Sequence, residues 1–348
     1  MEFPLNKRRS IRLALGFDDV SLVPSSTTVD PRDVDVSFKL DGYTFKVPII
    51  ASAMDAVVSP EFAVSYFKLG GLAVLNLEGI FTRYENPEEP LARIKKAEDK
   101  DSTRTLQEVY REPIKRELIE KVIKKIKDEG AIAAGSLTPR ATRDIGKFVV
   151  DAGLDILFVQ STVTTPNYRS THTKALSIGE LTGNLSIPVL VGNCVSYEVA
   201  LELFNAGVSG VLVGIGPGEA CTTRMVTGVG VPQITATADV HCAALDFQAK
   251  TKKKVLVITD GGMRNGGQMA KALAVGADAL MVGSVFAGCK ESPGWPYHWG
   301  MATPDPNLPR GTRVRVGKDI TLSQLLFGPT SVTDGSENLV GCITTSMS

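Results

Sequence analysis

Eight short apolar runs recur along this chain, and they constrain its fold more than any other feature of the sequence. The runs span residues 47–53, 71–76, 131–136, 155–160, 187–192, 209–215, 254–260 and 278–284. Each run contains at least one β-branched residue and is continuous rather than alternating, which is typical of parallel strands buried on both faces. Parallel strands need crossover connections between them, and these are usually helices.

Helical patterns lie between most of these runs. The segments 59–70, 196–207 and 265–277 repeat apolar residues every three or four positions and end near glycine, which commonly follows a helix. Eight strands with helices between them predict an α/β fold, a single (β/α)8 TIM barrel over residues 1–348. An open doubly wound sheet is the alternative, although such sheets usually have fewer strands.

A long charged segment separates the second and third runs, whose first residues, 71 and 131, are 60 positions apart. From about residue 82 to 128 it carries a helical pattern with many lysines, arginines and glutamates. We expect a solvated helical pair here, inserted after the second strand unit and packed outside the barrel.

Composition and charge exclude several classes of protein. The 38 lysines and arginines balance the 38 aspartates and glutamates, which argues against a broad nucleic-acid-binding face. No apolar run reaches the roughly 18 residues of a membrane span, and the basic N-terminal segment lacks the apolar centre of a secretory signal. The five cysteines form no CxxC pair, which is typical of reduced thiols in a cytoplasmic protein. The three histidines show no metal-ligand spacing, and we interpret them as packed or solvated.

A glycine-rich segment follows the sixth run, and the active site of a barrel lies at the carboxyl ends of its strands. Residues 214–224 have the sequence GIGPGEACTTR. The three glycines allow the backbone to approach a ligand closely and to present amides to an anion. Cys221, with backbone dipoles and Arg224 close by, is a candidate nucleophile. The alternative is a small buried thiol.

Two further turns follow the seventh and eighth runs, where this fold often binds phosphate. The first is Asp260-Gly261-Gly262 and the second is Gly283-Ser284. The carboxylate of Asp260 can accept hydrogen bonds from the two vicinal hydroxyls of a ribose. A capping aspartate and two structural glycine turns are the alternative. Together with the cysteine loop, these turns favour a nucleoside monophosphate as the ligand.

Five motifs occur in the order found in one enzyme family. They are ASAMDAV at 51–57, VGNCV at 191–195, GIGPGEACTTRMVTGVGVPQ at 214–233, the long segment at 258–284, and HWGM at 298–301. In these motifs the chain resembles the IMP dehydrogenase/GMP reductase family, over about residues 15–345. The segments 75–80, 302–317 and 337–347 resemble the short bacterial proteins related to IMP dehydrogenase. The stretch between the second and third runs is too short for the CBS-type regulatory domain that IMP dehydrogenases usually carry.

The resemblance implies an NAD(P)-dependent oxidoreductase acting at C2 of a purine nucleotide: GMP, IMP or XMP. Cys221 would form a covalent adduct with C2, and Thr223 would assist the water or ammonia of the reaction. The substrate would be held by Ser52, Met54, Gly218, Asp260, Gly262, Gly283, Ser284, Gly300 and Met301. The cofactor, NADPH or NAD, would lie near Gln160 and Asn193, and carbonyls of Gly216, Gly218 and Cys221 would form half of a potassium site. Members of the family are commonly tetramers, so a homotetramer is expected.

The chain departs from the family pattern at three positions. Glu219 stands where the family usually has a small residue that bonds the phosphate, and Gln160 replaces an aspartate. Arg310 replaces a glutamate that contacts the base. The stretch 300–311 is also too short for the mobile flap of IMP dehydrogenases and contains no Arg-Tyr pair to activate water.

The missing pair decides the expected direction of the reaction. GMP reductases need no such pair, so we expect the chain to convert GMP and NADPH into IMP and ammonia. Three alternatives stay open: an IMP dehydrogenase that forms XMP with NAD, a family enzyme for a modified purine nucleotide, and a nucleotide-binding barrel without catalysis. The pair Cys221 and Thr223 argues against the last of these, since a binding module has no need of it.

Overall fold

The computed structural model describes residues 2–6, 9–172, 175–300 and 313–348. The eight apolar runs form the eight strands of a closed parallel barrel. In chain order the barrel strands are Ile49–Ala51, Leu72–Asn76, Ala134–Leu137, Ile156–Gln160, Val189–Cys194, Gly210–Val213, Leu256–Asp260 and Ala279–Val282. The eighth strand pairs with the first, with Leu280 opposite Ile49 and Val282 opposite Ala51. This closure confirms the TIM barrel and excludes the open sheet.

Strand side chains alternate between the inside and the outside of the barrel, as the pleat of a strand requires. Two buried clusters result. Ile50, Phe158 and Leu212 belong to the inner cluster, which also includes the hairpin of Phe38–Leu40 and Tyr43–Phe45. Neighbouring residues such as Val211 belong to the outer cluster, between the strands and the helices.

Helices alternate with the barrel strands, and local sequence explains where they begin. They are Pro60–Lys68, Arg116–Asp128, Pro139–Asp151, Ile178–Asn184, Tyr197–Asn205, Thr223–Thr227, Gln233–Thr251 and Gly266–Ala274, and after the eighth strand Ser284–Ala287, Leu322–Phe327 and Leu339–Ser346. At the first of them, Ser59 accepts a hydrogen bond from the amide of Phe62 at 3.1 Å, and Pro60 occupies the first turn. The three helices predicted at 59–70, 196–207 and 265–277 are confirmed.

The charged segment contains three helices where the sequence predicts a pair. Glu88–Lys96 and Asp99–Val109 form the pair, and Arg116–Asp128 leads into the third strand. This third helix packs against Pro60–Lys68 and buries Leu118, Ile119, Val122, Ile123 and Ile126. It is therefore the barrel's own helix, and the inserted pair ends before it.

Two further antiparallel strand pairs lie outside the barrel. Glu2–Asn6 pairs with Arg9–Arg12, and Tyr297–Trp299 pairs with Arg313–Arg315. The second pair, which we call the post-barrel hairpin, follows the eighth strand and packs against Asp99–Val109. Among the residues described above, no helix combines the length and the apolar character needed to cross a membrane.

Candidate active site

The glycine-rich loop after the sixth strand packs onto the end of the seventh. Gly214 has a φ of +146°, and a Cβ there would lie 2.4 Å from the carbonyl oxygen of Asp260. Gly216 has a φ of +71°, and a Cβ there would lie 2.7 Å from Cγ of Arg224. Only glycine satisfies both the backbone conformation and the close approach. The loop is therefore held against the end of the barrel, where the strands finish.

Cys221 presents its thiol to solvent on this loop. Its Sγ lies 3.2 Å from Oγ1 of Thr223, to which it can donate, and its amide donates to the carbonyl of Gly218 at 3.0 Å. By contrast, Cys194 and Cys289 are buried, and burial raises the pKa of Cys194 to about 12. Exposure distinguishes Cys221 from these inert thiols and sets aside its interpretation as a buried structural cysteine.

Arg224 connects the two ends of the loop that carries Cys221. Its Nε donates to the carbonyl of Ile215 at 2.8 Å, and its terminal nitrogen donates to the carbonyl of Val231 at 2.6 Å. Two of its five donors are therefore occupied by backbone oxygens. These contacts hold the loop that carries Cys221 in shape. Arg224 also interacts electrostatically with Cys221, and its effect on the reactivity of the thiol stays a prediction.

Asp260 and Asn193 meet at the ends of the seventh and fifth strands. The side-chain amide of Asn193 donates to Oδ2 of Asp260 at 2.7 Å. Burial raises the pKa of Asp260 to about 6, and the hydrogen bond from Asn193 opposes that rise. The carboxylate keeps its second oxygen and further lone pairs for a ligand, which suits the recognition of hydroxyl groups.

The turn after Asp260 lies directly against the glycine-rich loop. Gly261 and Gly262 have φ values of +80° and +81°. A Cβ on Gly261 would lie 3.3 Å from Cγ of Pro217 and 3.5 Å from the amide nitrogen of Gly218, and one on Gly262 would lie 3.0 Å from Cβ of Pro217. The two glycine-containing segments identified in the sequence are thus brought together.

A second cluster surrounds the turn after the eighth strand. A Cβ on Gly283 would lie 3.1 Å from Sδ of Met54 and 3.2 Å from Cε1 of His298. The amide of Ser52 donates to the carbonyl of Val282 at 3.0 Å, and Ser284 begins a short helix. The predicted residues Ser52, Met54, Gly283 and Ser284 therefore lie at one junction.

His298 and Gln233 are buried polar residues that sequence reasoning did not assign to the site. Only 3% of His298 is exposed, and burial lowers its pKa to about 4, so the imidazole is neutral at pH 7. The amide of Gln233 donates to the carbonyls of Val213 and Asp260, at 2.5 and 3.3 Å. Gln233 therefore joins the ends of the sixth and seventh strands. The only sequence signal for His298 and Gln233 is that they lie within the motifs at 298–301 and 214–233.

The post-barrel hairpin touches the loop that carries Cys221. A Cβ on Gly300 would lie 3.3 Å from the carbonyl oxygen of Ala220. Gly300 thus lies beside Ala220, the residue before Cys221, and its contact with the purine base stays a prediction. Met301 and Arg310, also assigned to the site from sequence, lie outside the described residues.

Gln160 and Glu219 occupy contrasting positions. Oε1 of Gln160 accepts from the hydroxyl of Ser136 at 2.8 Å, and its Nε2 lies 3.8 Å from Sδ of Met281. Gln160 is therefore engaged with the third and eighth strands. Glu219 is exposed, so its carboxylate is hydrated.

Within the described part of the chain, no group of three or more His, Cys, Asp or Glu side chains is placed to hold a metal.

Comparisons with known proteins agree on one family. Residues 14–300 match the model of the IMP dehydrogenase/GMP reductase domain. An uncharacterized oxidoreductase of Mycolicibacterium smegmatis is 35% identical over 97% of this chain and 93% of its own length. The inosine-5'-monophosphate dehydrogenase of Cryptosporidium parvum is 34% identical over 82% of this chain and 71% of its own. The crystal structure of an IMP dehydrogenase/GMP reductase-like protein from Corynebacterium glutamicum superposes with a TM-score of 0.92, at 33% identity, over 99% of this chain and 92% of that chain.

Proposed function

The chain belongs to the IMP dehydrogenase/GMP reductase family of oxidoreductases, and from this premise we propose that it is a GMP reductase. The reaction would convert GMP, NADPH and a proton into IMP, ammonia and NADP⁺. The observation that carries the proposal is the exposed thiol of Cys221, 3.2 Å from Oγ1 of Thr223, on a loop packed against the turn at Asp260.

Cys221 supplies the nucleophile. Its sulfur bonds to C2 of the purine, and the exocyclic amine leaves C2 as ammonia after receiving the proton of the thiol. Thr223, within hydrogen-bond reach of the thiol, is placed to pass that proton. Cys221 would then act as the leaving group when C2 is reduced: the sulfur–carbon bond would break to release IMP, and the thiolate would take up a proton from solvent.

A reduced nicotinamide supplies the hydride when it is bound. Met225 and Val226, in the short helix that begins two residues after Cys221, are 83% and 72% exposed, and we assign them as apolar contacts of the flat nicotinamide ring. Gln160 and Asn193 are the polar residues that we assign to this cofactor. NADPH is the expected hydride donor. In the alternative reaction, the oxidation of IMP to XMP, NAD would accept the hydride.

The nucleotide would lie across the junction of the three turns. Asp260 would accept from the ribose hydroxyls, and backbone amides at Gly218, Gly262, Gly283 and Ser284 would bind the phosphate. Ser52, Met54, Gly300 and Met301 complete the proposed substrate set. The proximity of Gly283 to Met54, and of Gly300 to Ala220, supports this arrangement.

Potassium, the assembly and the cellular location follow from the family resemblance. The carbonyls of Gly216, Gly218 and Cys221 lie within one loop and would supply half of a monovalent-cation site. We propose a cytoplasmic homotetramer, with the five unpaired cysteines in support of a reducing compartment. Light scattering tests the assembly, and a monomer would contradict it.

IMP dehydrogenase is the second candidate, because a relative of that name matches most of the chain. Against it stands the absence of an Arg-Tyr pair between residues 300 and 311. A modified purine nucleotide is the third candidate, favoured by the departures Glu219 and Arg310. A barrel that binds nucleotide without catalysis is disfavoured by the pairing of Cys221 with Thr223.

Absorbance at 340 nm distinguishes these candidates. Purified protein is mixed with GMP and NADPH, and separately with IMP, NAD and potassium. We expect absorbance to fall in the first mixture, with IMP and ammonia as products. A rise in the second mixture alone would identify an IMP dehydrogenase, and no change in either would contradict both activities.

Two cysteine variants control the assay. Cys221→Ala should abolish turnover while nucleotide binding persists. Cys242→Ala is the matched control, because Cys242 is the other exposed thiol and lies on the helix Gln233–Thr251. Equal losses in the two variants would contradict the assignment of Cys221 as nucleophile.

A further inference from the structure

A buried hydroxyl links the inserted helical pair to the barrel and to the post-barrel hairpin. Tyr110 directly follows the helix Asp99–Val109 and is only 4% exposed. Its hydroxyl donates to Oδ2 of Asp55 at 2.5 Å and accepts from Nε1 of Trp299 at 3.1 Å. One group on the insertion therefore joins the turn after the first strand to the hairpin after the eighth.

Both partners of this hydroxyl adjoin the candidate site. Asp55 follows Met54, whose sulfur lies against Gly283. Trp299 precedes Gly300, and a Cβ on Gly300 would lie 3.3 Å from the carbonyl oxygen of Ala220, the residue before the nucleophile candidate. Trp299 is 1% exposed, so its indole has little freedom to move without breaking this contact.

A second link fastens the same hairpin to the same helical pair. The side chain of Arg313 is 2% exposed, and its terminal nitrogens contact the carbonyl of Ile94 and the carboxylate of Asp99, each at 2.6 Å. Its guanidinium also lies 4.3 Å from the ring centre of Tyr297. Both strands of the hairpin are thus held by the insertion.

The hydroxyl of Tyr110 can be removed by substitution with phenylalanine, which keeps the aromatic ring in place. Asp55 also accepts from the side-chain amide of Asn76, at 3.3 Å. Burial raises the pKa of Asp55 to about 6, and the bond from Tyr110 opposes that rise. Without the hydroxyl, the buried carboxyl of Asp55 and the buried indole N–H of Trp299 lose their shared hydrogen-bond partner. The contact that fixes the position of Trp299 relative to Asp55 is then lost.

We propose that Tyr110 is a positioning residue for the candidate site, and that its hydroxyl, shared between Asp55 and Trp299, sets where Gly300 lies against the Cys221 loop. The inference rests on the proposed function for the identity of its substrate. It makes the helical pair Glu88–Lys96 and Asp99–Val109 a support of the nucleotide site, rather than a solvated appendage.

The test compares Tyr110→Phe with Tyr84→Phe. The first removes only the shared hydroxyl. The second is a matched control, because Tyr84 donates its hydroxyl to the carbonyl of Val109, the residue before Tyr110, at 2.8 Å. Circular dichroism and thermal unfolding verify that each variant folds. If Tyr110→Phe does not fold, Trp299→Phe removes the donor at the other end of the bond, keeps an aromatic ring, and is measured in the same way.

The first readout needs no nucleotide. Iodoacetamide labels the exposed thiols, and peptide mass spectrometry gives the rate at Cys221 relative to Cys242 in the same sample. Since Gly300 lies beside the carbonyl of Ala220, Tyr110→Phe should change this relative rate by about fivefold or more, the factor that corresponds to the loss of a bond of about 1 kcal/mol. Tyr84→Phe should leave it unchanged.

The second readout is the kinetics of GMP reduction. Tyr110→Phe should raise KM for GMP by about tenfold, the effect of a lost hydrogen bond to a charged group, with kcat within about twofold of wild type. Values of KM and alkylation rate equal to those of Tyr84→Phe would overturn the inference. If the wild-type protein reduces no GMP, yet only Tyr110→Phe alters labelling of Cys221, the proposed function fails and the positioning role of Tyr110 stands.

Discussion

Replacing Asn193 by leucine removes the hydrogen bond that its side-chain amide donates to Oδ2 of Asp260 at 2.7 Å, while keeping a side chain of similar size. A hydrogen bond to a charged group contributes about 1.5–3 kcal/mol, and one pKa unit corresponds to about 1.36 kcal/mol. Loss of the bond should therefore raise the pKa of Asp260 by about one to two units. Starting from about 6, the new value lies at about 7–8.

The consequence is a change in GMP binding with pH. With a pKa of about 6, roughly nine-tenths of Asp260 is ionised at pH 7. In Asn193→Leu that fraction falls to between about a half and a tenth. If the carboxylate accepts from the ribose hydroxyls, GMP affinity at pH 7 should fall by about two- to tenfold and recover by about pH 9.

Calorimetric titration of GMP from pH 5.5 to 9 measures this shift. Asp260→Asn is the control, because any pH dependence that remains in it belongs to the phosphate of GMP, whose second pKa is about 6. After that correction, the affinity of the wild-type protein for GMP should rise with a midpoint near pH 6. The affinity of Asn193→Leu should rise with a midpoint at least about one pH unit higher. Superimposable curves for the two proteins would refute the reasoning.

Three other predictions concern single side chains near the site. Since the pKa of Asp260 is raised from 3.8 to about 6 in the folded protein, its contribution to stability is present below pH 3.8 and is lost as pH rises through 6. Asp260→Asn should therefore raise the free energy of unfolding by up to about 3 kcal/mol at pH 8 but not at pH 3.5, and equal melting temperatures at pH 8 would contradict this. Glu219→Ser should tighten binding of GMP by about threefold and leave guanosine unaffected, since only the phosphate is repelled by a carboxylate; weaker GMP binding in titrations would show another role. GMP should protect Cys221 but not Cys242 from iodoacetamide, and equal protection of both thiols would place the nucleotide elsewhere.

Most of the barrel could be predicted because each strand is visible in the sequence as a short local pattern. Buried parallel strands need continuous apolar runs, and all eight runs became strands. The ends of the strands were predicted less accurately, because an apolar run shows which residues are buried and not which of them pair with a neighbouring strand. The third run begins at residue 131, yet the strand is Ala134–Leu137: Ala131 and Ala133 are buried but precede the paired residues.

The inserted helices were assigned less well because charge hides a buried face. Arg116–Asp128 is mostly charged, yet its five apolar residues fall on one side and pack against the barrel. The periodicity of this helix predicts burial, whereas its composition suggests exposure. Tertiary packing decided the outcome.

Residues of the candidate site fall into two groups. Glycines, Cys221 and Asp260 lie in motifs at strand ends, so a sequence places them at the mouth of the barrel. The bonds from Tyr110 to Asp55 and Trp299 join residues 55 and 189 positions apart. Neither periodicity nor local propensity carries information on such contacts, so the structure was needed to find them.

Deuterium transfer tests the central claim, reduction at C2 of a purine nucleotide through Cys221, most directly. GMP is incubated with NADPH that carries deuterium at the transferred position of the nicotinamide, and the products are analysed by mass spectrometry and NMR. We predict IMP with one deuterium at C2, one ammonia per IMP, and no product from Cys221→Ala. IMP without deuterium, or undiminished turnover by Cys221→Ala, would contradict the account.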